Sequence, residues 1–150
     1  IEPNEQRRAA ATALGFTDVF APGDEARAFL QQITGGLGAD VLYECTGVAG
    51  LFQASAELVR RGGTLSLLGF PMTDSQVSYG DWQVRELTVV GSLAYNHEDF
   101  LGAMRAIADG AVDVTSLHTG TVGLGDLKAL MDELDSGRTA HAKVLVDPSR

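Results

Sequence analysis

Three short stretches have the residue types of a ligand-binding edge. They are Glu44-Cys45-Thr46-Gly47, Leu68-Gly69-Phe70-Pro71 and Gly91-Ser92-Leu93-Ala94. Each places a glycine where an apolar run gives way to a loop, and glycine lets a backbone approach a ligand closely. One such end is ordinary turn chemistry. Three at the same end of successive strands point to a binding cleft, because open α/β sheets bind ligands beyond the carboxyl ends of their strands. Glu2, directly before a helix, is a fourth candidate. An acid there can accept hydrogen bonds from ribose hydroxyls and repel a 2′-phosphate, although by position alone a solvated residue near a chain end is the better reading. Arg7 and Arg8 could instead grip such a phosphate.

Cys45 reads as a small wall residue rather than a nucleophile, since no histidine lies close in sequence to act as its base. His97, His118 and His141 are 21 and 23 residues apart, unlike a local zinc motif, and read as surface or satisfied histidines. Trp82 and the acids around it read as a solvated loop.

These residues need elements to position them. Asn4–Leu14 reads as a helix with Asn4 as N-cap and Gly15 beyond its end. A strand at Thr17–Phe20 and a Pro22-Gly23 turn follow. Asp24 caps a second helix with its stripe at Ala26, Phe29, Leu30 and Ile33, stopped by Gly35-Gly36. Ala39–Cys45 is a strand. Val48–Arg60 is a helix with Leu51, Ala54, Ser55 and Leu58 on one face. Gly63–Phe70 is a strand, apolar as when both faces are covered. Ser75–Glu86 is a loop with a short strand at Val77–Tyr79, and Leu87–Ala94 is a further strand. Asn96 and Asp99 form a capping box before a helix striped by Phe100, Ala103, Met104 and Ile107. Val112–Val122 is irregular or extended. Leu124–Leu134 is a helix with Leu127, Leu130, Met131 and Leu134 inward, and Ala142–Val146 is the last strand. The alternation up to Ala94 predicts an α/β fold of parallel strands joined by crossover helices. The change of rhythm after it divides the chain into residues 1–95 and 96–150.

Composition excludes several alternatives. The 150 residues are enough for one core. A formal charge of −9, from 20 acidic and 11 basic residues, argues against nucleic acid as partner. No apolar run is long enough to span a membrane, and no signal peptide is evident. One cysteine among 150 residues suits a cytoplasmic setting.

The runs IEPNEQRRAAATALGFTDVF, GADVLYECTG, RRGGTLSLLGFP, RELTVVGSLAYN and SGRTAHAKVLVDP occur in that order. Together they resemble the zinc-dependent medium-chain alcohol dehydrogenases, the polyol, butanediol and threonine branch in particular. The resemblance implies a Rossmann-type sheet and hydride transfer between an alcohol and NAD. It implies cofactor contacts from Glu2, Arg7, Cys45, Thr46, Leu68, Gly69, Phe70, Ser92, Leu93 and Ala94. Lys143 would reach the cofactor phosphates, with His141 competing for that role. No G-x-G-x-x-G occurs in the chain. The resemblance places that loop and the first strand just upstream of Ile1, and the zinc ligands in a catalytic domain further upstream. The chain then reads as a C-terminal fragment, inactive by itself, whose residues 96–150 return to the catalytic domain. The resemblance also implies a homo-oligomer, dimer or tetramer, built through the strand near Leu87–Leu93, and a small alcohol or polyol as substrate. Two other functions stay open: a zinc-free NADPH-dependent quinone or enoyl reductase, and a non-catalytic α/β interaction module.

Overall fold

The computed structural model describes residues 1–137, 139 and 141–150. Arg138 and Ala140, inside the closing segment quoted above, lie outside the described residues. The chain forms two compact units, residues 23–95 and residues 1–22 with 96–150.

In residues 23–95 the order is α2 (Asp24–Ile33), β1 (Ala39–Glu44), α3 (Leu51–Leu58), β2 (Val59–Leu67), α4 (Tyr79–Val84) and β3 (Thr88–Gly91), after α1 (Glu5–Ala13) of the other unit. The strands form one parallel sheet in the order β1-β2-β3. Glu44 lies opposite Leu67, and Leu67 opposite Gly91, so all three carboxyl ends fall level. This is the α/β architecture that the alternating pattern predicts.

The core of this unit is Ala56, Val59 and Leu65, all within 1% of full burial, with Leu42, Leu67, Trp82 and Leu87 packed against it. Here the sequence reading needs correcting. The buried side of α3 is Phe52 and Ala56, continued by Val59, whereas Leu51 is 43% exposed. That i, i+4, i+7 series is as regular as the Leu51 one, and contact with β2 selects it. The helix also ends at Leu58 rather than Arg60. Val59 already pairs with Ala39, the pairing then jumps to Val41 with Thr64, and residues between bulge out through Gly62 at φ 68°.

Residues 77–79 form no strand, and Trp82 is not in a solvated loop. It sits on α4, where its indole N–H donates to Gln53 Oε1 at 3.1 Å. The same oxygen accepts the Ser78 N–H at 2.9 Å, and Arg85 donates to the Val59 carbonyl. A six-residue helix has little intrinsic stability, so these tertiary bonds decide its conformation. Asp24 is the first residue of α2 rather than its cap, and Ile33 at its end is 62% exposed.

In the other unit, Asn4 caps α1 by accepting the Arg7 N–H at 3.0 Å. Thr17–Phe20 forms no ladder; a backbone bond runs from Glu2 N–H to the Phe20 carbonyl. The Asn96–Asp99 capping box opens α5 (His97–Ala108). The α5 stripe is not buried: Phe100, Met104 and Ile107 are each about half exposed. A 3₁₀ turn at Thr115–Leu117 leads into β4 (His118–Gly123), and a second at Leu124–Asp126 leads into α6 (Leu127–Asp135). β5 (Lys143–Asp147) pairs with β4 in parallel. On α6 Leu130 is buried, but Met131 and Leu134 are exposed. No helix among the described residues is long and apolar enough to cross a membrane.

Candidate functional site

The level strand ends of residues 23–95 are tied to one another through the backbone. The Glu44 carbonyl accepts both the Leu68 and Gly69 N–H groups at 2.8 Å, which bends the chain off β2 after Leu67. The Leu67 carbonyl accepts the Ser92 N–H at 2.9 Å. The turn after β1 and the loop after β2 touch backbone to backbone. A Cβ on Gly69 would lie 2.1 Å from Gly47 N, and one on Gly47, whose φ is +66°, would lie 2.6 Å from the Phe70 carbonyl oxygen. Only glycine fits at either place.

A groove of about 250 Å³ opens at these ends, lined by Phe52, Leu67, Leu68, Gly69, Phe70, Pro71, Gly91, Ser92 and Leu93. Of the residues singled out from sequence, Leu68, Gly69, Phe70, Ser92 and Leu93 meet there. Leu68, Phe70 and Leu93 present exposed apolar side chains. Ala94 follows the groove with φ 59°, a conformation uncommon for a residue with a Cβ. Cys45 and Thr46 occupy the adjoining turn, both exposed. The Cys45 thiol contacts the Tyr43 carbonyl at 3.8 Å. The Thr46 hydroxyl donates to Glu44 and accepts the Val48 N–H at 3.1 Å, so it is engaged within the turn.

The sequence pattern does not single out Phe52, which lines the groove, or Glu44, which does not line it but is buried at the end of β1. Phe52 was hidden by placing the buried face of α3 one residue out of phase. Glu44 was visible only as one letter of a motif. Its carboxylate is buried at 2% exposure, and Oε1 accepts the Thr46 N–H at 2.9 Å while Oε2 accepts the Gly47 N–H at 3.2 Å.

Glu2 and Arg7 lie in the other unit and pair with each other at 3.6 Å. Glu2 Oε1 also accepts the Asn4 N–H at 2.8 Å. Both contacts fall on Oε1, and Oε2 carries none among the described residues. Arg8 donates to the carbonyls of Glu2 and Pro3 at 2.8 and 2.7 Å. Lys143 opens β5, exposed, opposite His118. His141 Nδ1 lies 3.2 Å from the Thr119 hydroxyl, and His118 Nε2 lies 3.0 Å from the Thr121 hydroxyl. Among the described residues no three His, Cys, Asp or Glu side chains gather as metal ligands. Three surface carboxyls have lowered pKa values. Glu86 is lowered by its hydrogen bond from Arg61 and then by that residue's charge. Asp113 is lowered by its bonds from Thr115, and Asp147 by its bonds from Ser149.

A parallel sheet with crossover helices and a groove at its carboxyl ends is a Rossmann-type α/β fold. The chain belongs to the zinc-binding dehydrogenase family, which its residues 1–109 match. It is 29% identical over 146 residues to 2-dehydro-3-deoxy-L-galactonate 5-dehydrogenase of Pseudoalteromonas atlantica, covering 97% of this chain and 42% of that protein. A candidate zinc-binding dehydrogenase of Sinorhizobium meliloti, solved bound to NADP, superposes with a TM-score of 0.83 at 26% identity, over 98% of this chain and 44% of that one. 2R,3R-butanediol dehydrogenase of Bacillus subtilis has the same fold, with a TM-score of 0.81 at 23% identity, over 98% of this chain and 42% of that one. The chain thus spans less than half the length of these relatives.

Proposed function

We propose that this chain is the cofactor-holding part of a zinc-dependent alcohol or polyol dehydrogenase that transfers hydride between an alcohol and NAD. The observation that carries this reading is the groove at the ends of β2 and β3. Its exposed Leu68, Phe70 and Leu93 side chains and close-set backbone suit a flat ring. When bound, the nicotinamide supplies the hydride acceptor. The chain's own residues bind and orient it. Leu68–Phe70 and Ser92–Ala94 flank the ring, Cys45 and Thr46 form the neighbouring wall, and Lys143 serves the phosphates. Residues 1–95 act as the dinucleotide-binding portion and 96–150 as the segment shared with the catalytic domain. In this reading the zinc takes its ligands outside the described residues, the whole enzyme is a cytoplasmic homo-oligomer, and this chain alone does not turn over substrate.

NAD rather than NADP is favoured by Glu2. Its carboxylate is held by Asn4 with Oε2 available to ribose hydroxyls. Arg7 and Arg8, the cations that could seize a 2′-phosphate, are engaged by Glu2 and Pro3. The test is the ratio of NAD to NADP affinity, by fluorescence titration of the reduced cofactors. Glu2→Gly should lower that ratio by about tenfold, the loss of one charge-assisted bond pair. An unchanged ratio removes Glu2 from the ribose site.

A further inference from the structure

The one buried charged side chain among the described residues is Glu44, and the function just proposed leaves it without a task. Its surroundings give it one. Oε1 accepts the N–H and the hydroxyl of Thr46, and Oε2 accepts the Gly47 N–H. The Thr46 hydroxyl in turn accepts the Val48 N–H. Three successive amides after β1 are therefore folded around one carboxylate. The turn so formed carries Gly47, whose backbone lies against Gly69 and Phe70 with no room for a Cβ. Gly69 and Phe70 line the groove.

We propose that Glu44 is a positioning residue for the nicotinamide end of the cofactor: its buried carboxylate clamps the 45–48 turn, which presses Gly69–Phe70 into the shape of the groove. The inference rests on the groove being the nicotinamide site. A carboxylate suits the task because it is acceptor-only, and all three of its partners here are donors. Glutamine has the same shape but offers one acceptor oxygen. Whichever way its amide turns, an NH₂ group faces an N–H donor. The core packing stays as it is while the clamp opens.

The test compares NADH with AMP, which lacks the nicotinamide half, on the whole enzyme that carries this chain and on its Glu44→Gln variant. Glu44→Gln should weaken NADH binding by about tenfold and AMP binding by less than about twofold, with an unchanged far-ultraviolet circular dichroism spectrum. Glu44→Asp, which keeps both acceptor oxygens, should recover part of the NADH affinity. Thr46→Val, which removes the bridging hydroxyl, should shift NADH in the same direction by about threefold, and it decides the matter if Glu44→Gln does not fold. Equal loss of NADH and AMP affinity would mean general loosening and overturn the clamp. Unchanged NADH affinity in Glu44→Gln, or in Thr46→Val where that variant decides, overturns it too while leaving the cofactor site standing. No NADH binding by the unsubstituted whole enzyme overturns the clamp and the nicotinamide reading together.

Discussion

The two units bury their apolar residues very differently. Among the described residues, Ala26, Phe52, Ala56, Val59 and Leu65 of residues 23–95 are buried, against Leu130 alone in residues 1–22 and 96–150. Residues 23–95 close a core around Leu65 and support a groove with it. In the second unit α1 and α5 carry side-chain caps, yet apolar stripes stay about half exposed: Phe100, Met104 and Ile107 on α5, Met131 and Leu134 on α6. Caps are local and form wherever their residues occur. Burial needs a facing surface. The comparison teaches that a regular amphipathic pattern tells which side of a helix is apolar, not whether anything covers it.

The largest effect that could break this contrast is expected at the core. Leu65→Ala should cost about 2–5 kcal/mol, because the packed surroundings relax only in part into the cavity it leaves. Met104→Ala on the open α5 stripe should cost a small fraction of that, since little burial is lost. Paired thermal or urea melts give both values, and similar losses would mean the α5 stripe is covered in solution. Next comes Gly69→Ala. Its Cβ must displace the Gly47 backbone, which should cost about 1–3 kcal/mol and weaken NADH binding in the same protein, read by melting and by titration. The smallest is at the surface. Arg61 holds the Glu86 carboxyl below its ordinary value, first by hydrogen bond and then by charge. A lowered folded-state pKa stabilises above the unfolded value, and the contribution disappears as pH falls through the lowered one. Arg61→Ala should therefore lower the melting temperature slightly at neutral pH and leave it unchanged near about pH 3, which flattens the acid-side fall between about pH 6 and about pH 3. A large neutral-pH loss would show that the pair does more than titrate.

Much of the architecture can be read from sequence because its signals are local. Asn4, Asn96 and Asp99 announce their helices, and strand–helix alternation announces the parallel sheet. The strand-end segments 68–70 and 92–93 could be picked out because a glycine marks each departure from an apolar run. What sequence does not carry is choice between equivalent patterns and bonds between distant residues. Leu51 and Phe52 start equally plausible helix faces. The α4 helix depends on Gln53, 25 residues before Ser78. Thr17–Phe20 has the composition of a strand, but a ladder takes two. The role of Glu44 depends on Gly47 meeting Gly69, a contact no periodicity encodes.

The backbone donors around that contact are already spent. The N–H groups of Thr46, Gly47, Val48, Leu68, Gly69 and Ser92 all donate within the protein, two of them to the Glu44 carbonyl, two to its carboxylate, one to the Thr46 hydroxyl and one to the Leu67 carbonyl. These six give nothing to a guest. Of the groove residues, Phe70 and Leu93 have N–H groups, and Ser92 a hydroxyl, with no acceptor among the described residues, so the hydrogen-bond acceptors of a guest must turn to those.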